Sequence, residues 1–200
     1  QVNACTSVRE LIESSVTFFQ QTGGFEAVGI RLREGDDYPY YEVRGFPADF
    51  VRSENSLCDR TAGGEVIRDA PGNPVLACMC GNVINGRFDA SKPFFTRGGS
   101  FWTNSTTELL ASTSEADRQA RTRNRCHGEG YESVALVPLC LGAERLGLLQ
   151  LNDRRKGLFT AELVALWERM AGYLSVALAK LRTEAQLRTS ELNLKTLFDA

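Results

Sequence analysis

The 200-residue sequence predicts an α+β domain, a central antiparallel sheet flanked by an N-terminal and a C-terminal helix. Three observations carry that expectation. Val8, Leu11, Ile12, Ser15, Val16 and Phe19 recur at helical spacing. Two apolar runs, SVALVPLCL (133–141) and RLGLLQLND (145–153), are joined by the turn Gly142-Ala143-Glu144. Leu163, Leu166, Trp167, Met170, Leu174 and Ala177 mark a long closing helix. Each helix has one apolar stripe to bury, and a sheet supplies the surface, so both are expected on the same face of it.

Taken in order, the first helix ends at Gly23-Gly24. FEAVGIRLRE then alternates, with Val28, Ile30 and Leu32 on one side, and YPYYEVRGF follows the turn signal Gly35-Asp36-Asp37, which reads as a hairpin. Residues 47–100 are weakly periodic and rich in Gly and Pro, and within them 58–100 reads as a long, irregular, cysteine-containing loop insertion. A loop of that length is expected only where it is functional or tied down. GSFWTNST reads as a short strand, and STSEADRQARTRNR as a polar helix capped by Ser112 or Ser114. The closing helix begins near Thr160. Beyond Lys180 its apolar positions thin to an approximate heptad through Leu178, Leu181, Ala185 and Leu192, the pattern of a coiled-coil linker and of a homodimer seam.

Acidic and basic residues are interspersed and the net charge is −2, which gives no electrostatic footprint for nucleic acid or an anionic membrane. No apolar run approaches the roughly 18–20 residues that span a bilayer. The expectation is a cytoplasmic piece of a longer polypeptide. Six cysteines are too few for a disulfide scaffold and in a reducing compartment serve as thiols, ligands or small packing residues.

VLACMCGNVING (75–86) places Cys78 and Cys80 one residue apart. In an extended segment both would point the same way and present two sulfurs to one ion. With Cys58 before them and Cys126 after, four thiolates would make a closed tetrahedral zinc site that pins the loop. An iron–sulfur cluster takes the same four ligands and would make the domain a redox or oxygen sensor. Zinc is favoured because the cysteines span a loop that needs a staple. Cys5 and Cys140 read as packing residues. The aromatic run Phe94, Phe95, Phe101 and Trp102, with Thr103 and Asn104 as polar groups, is the candidate small-molecule pocket, with Phe94, Phe101, Trp102 and Asn104 as its binding residues; plain core is the alternative.

Enzyme motifs are incomplete. His127 and Glu129 form the H-x-E of a zinc deaminase without its P-C-x-x-C half. GEGYES lacks the strand and third glycine of a dinucleotide fingerprint, and there is no G-x-S-x-G elbow. No catalytic residue is assigned.

The element order, together with Val137-Pro138-Leu139 and Leu146-Gly147-Leu148-Leu149, resembles the GAF domain over about residues 5–182. Cys126-His127 is similar to the pigment-attaching pair of bilin-binding members, but the segment up to Pro138 is too short for the helix those carry. SELNLKTLFDA (190–200) resembles the opening of a PAS domain. The resemblance implies a sensory domain over 1–182 and a linker with the start of a PAS domain over 183–200. That is the input half of a sensor histidine kinase in a two-component system, binding a small molecule and signalling through its last helix. A ligand-free dimerisation or relay domain is the competing expectation.

Overall fold

The computed structural model describes residues 7–119 and 122–198, with side chains through Glu191. Ser7 starts the first helix, α1 (Val8–Gly23), because its hydroxyl accepts the Glu10 amide at 3.2 Å, and Gly24 ends it at φ +65°, a conformation glycine adopts without strain. Cys5 lies outside the described residues. The elements that follow are β1 (Ala27–Leu32), β2 (Tyr40–Arg44), α2 (Ala48–Glu54), α3 (Cys78–Ile84), β3 (Phe101–Thr103) and α4 (Thr106–Ser112). They are succeeded by α5 (Arg125–Gly128), β4 (Ser133–Leu141), β5 (Glu144–Asp153) and α6 (Ala161–Phe198). The five strands form one antiparallel sheet in the order β2-β1-β5-β4-β3.

Both faces of the sheet are buried, which is why the central strands read as apolar runs. Val28, Ile30 and Leu32 of β1, with Ala135, Val137 and Leu139 of β4, face α1 and α6, whose Ile12, Val16, Phe19, Val164, Trp167 and Leu178 complete that core. The two long helices therefore share a face, as their stripes require. Leu178 is fully buried there, so it belongs to the core and not to a dimer seam. Leu181 and Ala185 lie on a surface groove beside α1, and the Leu192 side chain is outside the described residues.

Two motif residues have clear physical reasons. A Cβ on Gly147 would sit 2.0 Å from the Arg31 carbonyl oxygen, so β5 can approach β1 only with glycine there. Pro138 lies beyond the three residues of β4 that pair with β3, where its missing N–H interrupts no bond to that neighbour.

The helix expected over 112–125 is displaced. Ser105, with its hydroxyl accepting the Glu108 amide at 3.2 Å, caps α4 instead. Ser114 binds the Asp117 carboxylate at 2.7 Å and opens only a turn. The 58–100 region is also less irregular than its composition suggests. Asp59, Ile67 and Val75 exchange backbone bonds of 2.8 Å across successive turns, and residues 78–84 form α3. The arm is fastened by Asp37, whose carboxylate accepts from the Leu57 amide at 2.8 Å, the Cys58 amide at 3.3 Å and the Ser56 hydroxyl at 2.5 Å. Burial pushes that carboxyl up, but the hydrogen bonds from Ser56, Tyr38, Leu57 and Cys58 outweigh it and hold Asp37 below the usual carboxylate range. The PAS-like segment falls on the end of α6, which runs helically through Phe198. Among the described residues no helix is long and apolar enough to cross a membrane.

Candidate functional site

The other face of the sheet carries polar groups. Alternation places Arg31 on β1 and Gln150 and Asn152 on β5 opposite α3, among Ala27, Leu148, Val134 and Leu136. All three polar side chains are at most 1% exposed. Gly29 leaves room for the Tyr40 ring, which a Cβ there would meet at 2.9 Å. The Arg31 guanidinium lies 3.6 Å from the centroid of that ring. It donates to the carbonyls of Tyr38 (2.9 Å), Asn55 (3.2 Å) and Glu54 (2.6 Å), closing the C-terminal end of α2. The Tyr40 hydroxyl donates to Gln150 Oε1 at 2.9 Å, and Gln150 Nε2 donates to Asn152 Oδ1 at 3.2 Å and to the Cys126 sulfur at 3.6 Å.

Beside this network lies a cavity of about 60 Å³ between α3, α4, α5 and the sheet. Cys78, Cys80 and Cys126 line it together with Thr106, His127 and Phe101. Thr106 donates to the Tyr131 carbonyl at 2.7 Å, so its oxygen accepts from His127 Nδ1 at 3.2 Å, which sets the imidazole tautomer. Cys78 begins α3 at φ +65°, a left-handed conformation that costs energy for a residue with a Cβ. A hydrogen bond from the Cys80 thiol, against the cost of burial and with the Arg123 and Met79 amides adding to it, lowers the Cys78 thiol to about 5. The same contact and burial push Cys80 up, and burial raises Cys126 to about 12.

The expected metal set is only partly assembled. Cys78, Cys80 and Cys126 line one cavity, but Cys78 and Cys80 do so from a helical turn and not from an extended segment. Cys58 lies elsewhere, its thiol donating to the Asp36 carbonyl at 3.3 Å and raised to about 11 by burial and the nearby Asp37 carboxylate. Among the described residues no group of three or more His, Cys, Asp or Glu side chains is placed to hold a metal ion. The arm that called for a staple is fastened by Asp37 and its own backbone bonds instead.

The aromatic candidates divide between roles. Phe94 and Phe101 are buried in the second core cluster with ring centroids 6.2 Å apart, and Phe101 also lines the thiol cavity. Trp102 points to the opposite face and packs on the α1–α6 core. The Asn104 amide joins both backbone groups of Phe159, at 2.8 and 2.7 Å, and so ties β3 to the start of α6. Phe94, Trp102 and Asn104 also edge an open groove of about 510 Å³. Arg31, Tyr40, Gln150 and Asn152 escaped the sequence reading. For Arg31, Gln150 and Asn152 the only signal was a charged or amide residue at core-facing positions of otherwise apolar strands.

No family model matches the sequence, and no curated protein matches it. Solved structures do resemble it. The GAF domain of a two-component sensor histidine kinase from Bacillus halodurans superposes with a TM-score of 0.54 at 12% identity, covering 90% of this chain and 99% of that one. The GAF domain of an Acinetobacter phosphoenolpyruvate-protein phosphotransferase gives 0.60 at 12% identity, covering 92% and 89%. A free methionine-R-sulfoxide reductase from Neisseria meningitidis, solved with its substrate, gives 0.57 at 15% identity, covering 90% and 83%. At such identities the likeness is one of fold, and the fold of this chain is that of a GAF domain.

Proposed function

We propose that this is a regulatory input domain of a signalling protein, not an enzyme. Its input site is the thiol-lined cavity and its output element is α6. The observation that carries the reading is the concentration of buried polar groups at one place. Three thiols, Thr106 and His127 line a cavity on one face of the sheet, beside the buried network of Arg31, Gln150 and Asn152, while α6 packs on the other face of the same strands. Buried polar groups cost stability unless they are paired, and their gathering beside a cavity supports its reading as a binding site. β4 and β5 contact both layers, so a change at the cavity has a short rigid route to the helix. A ligand acts by binding one arrangement of these layers more tightly than the other.

A cavity of about 60 Å³ is far below the roughly 300–1,000 Å³ that encloses a metabolite-sized ligand, so the input is a small molecule of few atoms. The open groove edged by Phe94, Trp102 and Asn104 is the place for anything larger. Thermal-shift screening, with hydrogen exchange read on α6, tests the proposal. A ligand that protects α3 and α5 and changes exchange in α6 supports it, and ligands that leave α6 unchanged overturn it.

A second copy of the chain is the partner best suited to α6. Leu166, Tyr173 and Leu187 share one heptad position, and they are 38%, 71% and 60% exposed. Val176, 57% exposed, stands beside them. The dimer face is therefore this stripe and not the one through Leu178.

A further inference from the structure

One buried cation on the wall of the inner cavity has no counter-charge. Arg118, between α4 and α5, lines the cavity and is 6% exposed. Its Nη1 donates to the carbonyl and hydroxyl oxygens of Thr113, both at 2.7 Å. Its own carbonyl accepts from Nδ2 of the fully buried Asn82 at 2.9 Å, so the backbone is held as well. The other edge of the guanidinium is open. Nε is buried without a hydrogen-bond partner, and among the described residues Nη2 has none either. The neighbouring carboxylate of Asp117 is turned to Lys92 at 2.6 Å, and among the described residues Arg118 forms no ion pair. A buried charge is ordinarily paired, because burying it alone costs heavily.

The rest of the wall agrees with this sign. Arg118, Arg125 and His127 line the cavity, and no Asp or Glu is among its lining residues. Arg125 is already engaged, by Glu54 at 3.8 Å and by the Ser53 hydroxyl at 2.9 Å. His127 is tied to Thr106, whose own proton goes to the Tyr131 carbonyl. Arg118 is therefore the guanidinium of this wall with donors to spare. Met79, Phe101, Leu109 and Val134 make the surface around it apolar.

We propose that the cavity binds a short-chain carboxylate, its two oxygens on Nε and Nη2 of Arg118 and its alkyl group against the apolar wall. The inference rests on the reading of that cavity as the input site and names its ligand class. The Nε–Nη2 edge of a guanidinium presents two parallel N–H groups that match the two oxygens of a carboxylate. The apolar wall gives the alkyl group its burial. A cavity of about 60 Å³ admits an anion of few atoms and does not enclose a phosphorylated metabolite. Arg118 also joins α3, through Asn82, to the end of α4, through Thr113, so neutralising it acts at a junction of the elements that cover the sheet.

The test is titration of the protein with sodium acetate and sodium propionate, against sodium chloride at equal ionic strength and acetamide as the neutral isostere. Binding is read from the melting temperature and from the side-chain Nε–H resonance of Arg118. The expected result is that a carboxylate raises the melting temperature above the chloride control and shifts that resonance, while acetamide binds at least ~10-fold more weakly. Arg118→Gln should lose at least ~10-fold in carboxylate affinity, Arg118→Lys should recover only part of it, and Arg145→Gln, outside the cavity, should bind as the wild type does. Equal binding of acetate and acetamide by the wild type would overturn the proposal without recourse to any variant. So would carboxylate binding that leaves the Arg118 resonance unmoved, or no binding beyond the chloride control. Hydrogen exchange on α6 separates the two levels of the argument. A carboxylate that binds Arg118 and leaves α6 exchange unchanged refutes the input reading and leaves the anion site standing. A domain that ignores carboxylates while its α6 responds to a neutral small ligand refutes the anion site alone.

Discussion

Replacing Arg31 by Met tests the polar interior most directly. The side chain is 1% exposed and makes three hydrogen bonds, to Tyr38, Asn55 and Glu54, of 2.6 to 3.2 Å. Its removal strands three carbonyls in a dry interior, at about 1–3 kcal/mol for each group left unsatisfied. It also removes a cation from the face of Tyr40, a contact worth on the order of 1–2 kcal/mol when desolvated. Methionine regains about 1.5–3 kcal/mol by burying its own apolar surface. The net loss expected is about 3–5 kcal/mol, a large share of the ~5–15 kcal/mol that holds a domain of this kind together. In urea, with a slope of about 1–3 kcal/mol per molar, the midpoint should fall by about 2 M. Hydrogen exchange should show the end of α2 opening first, because Arg31 is what closes its last carbonyls. Arg31→Lys keeps the charge but not the fork, and should recover only part of the loss. A loss below about 1 kcal/mol for Arg31→Met would refute the reasoning, since it would mean those carbonyls find other partners at little cost.

The remaining predictions concern the parts around that network. A Cβ at Gly81 would lie 2.6 Å from the Leu76 Cβ and 2.7 Å from its carbonyl carbon, so Gly81→Ala should cost about 1–3 kcal/mol and shift α3, measured by denaturation and by altered alkylation of Cys80. Asp37 titrates below its unfolded value of 3.8, so the stability it contributes is complete above that pH and is lost as pH falls through its lower folded value. Asp37→Asn should abolish this acid dependence and raise exchange across 57–76, and an unchanged acid profile would count against the carboxylate as fastener. Alkylation of Cys78 by a small methanethiosulfonate should follow a titration near 5, with an ordinary thiol near 8.5 as reference, and a profile that rises only above pH 8 would exclude a stabilised thiolate. Tyr173→Glu should weaken self-association in sedimentation at least ~10-fold without changing the melting of the monomer, because Tyr173 is 71% exposed; an unaltered dimer would place the interface elsewhere.

The long elements were legible in the sequence because their burial is periodic. The stripes on 8–19 and 163–177 determined two helices on one sheet face, and the alternation through Val28, Ile30 and Leu32 determined which side of β1 meets them. Leu178 shows the limit of that signal: its spacing suits a seam and a core equally, and only the position of α1 and the sheet decides that it is buried. The arm was illegible for a different reason. Its stability comes from backbone bonds between tight turns and from Asp37, some 20 residues away from the amides it holds, and neither leaves a periodic trace. The cysteines combine both cases. Their number and proximity in the chain pointed to a sulfur site, but which sulfurs meet depends on α3 turning at Cys78 and on α5 bringing Cys126 in from 46 residues beyond Cys80. Local pattern records what each segment must bury. Contacts between distant segments decide what it is buried against, and the site on this sheet is made of such contacts.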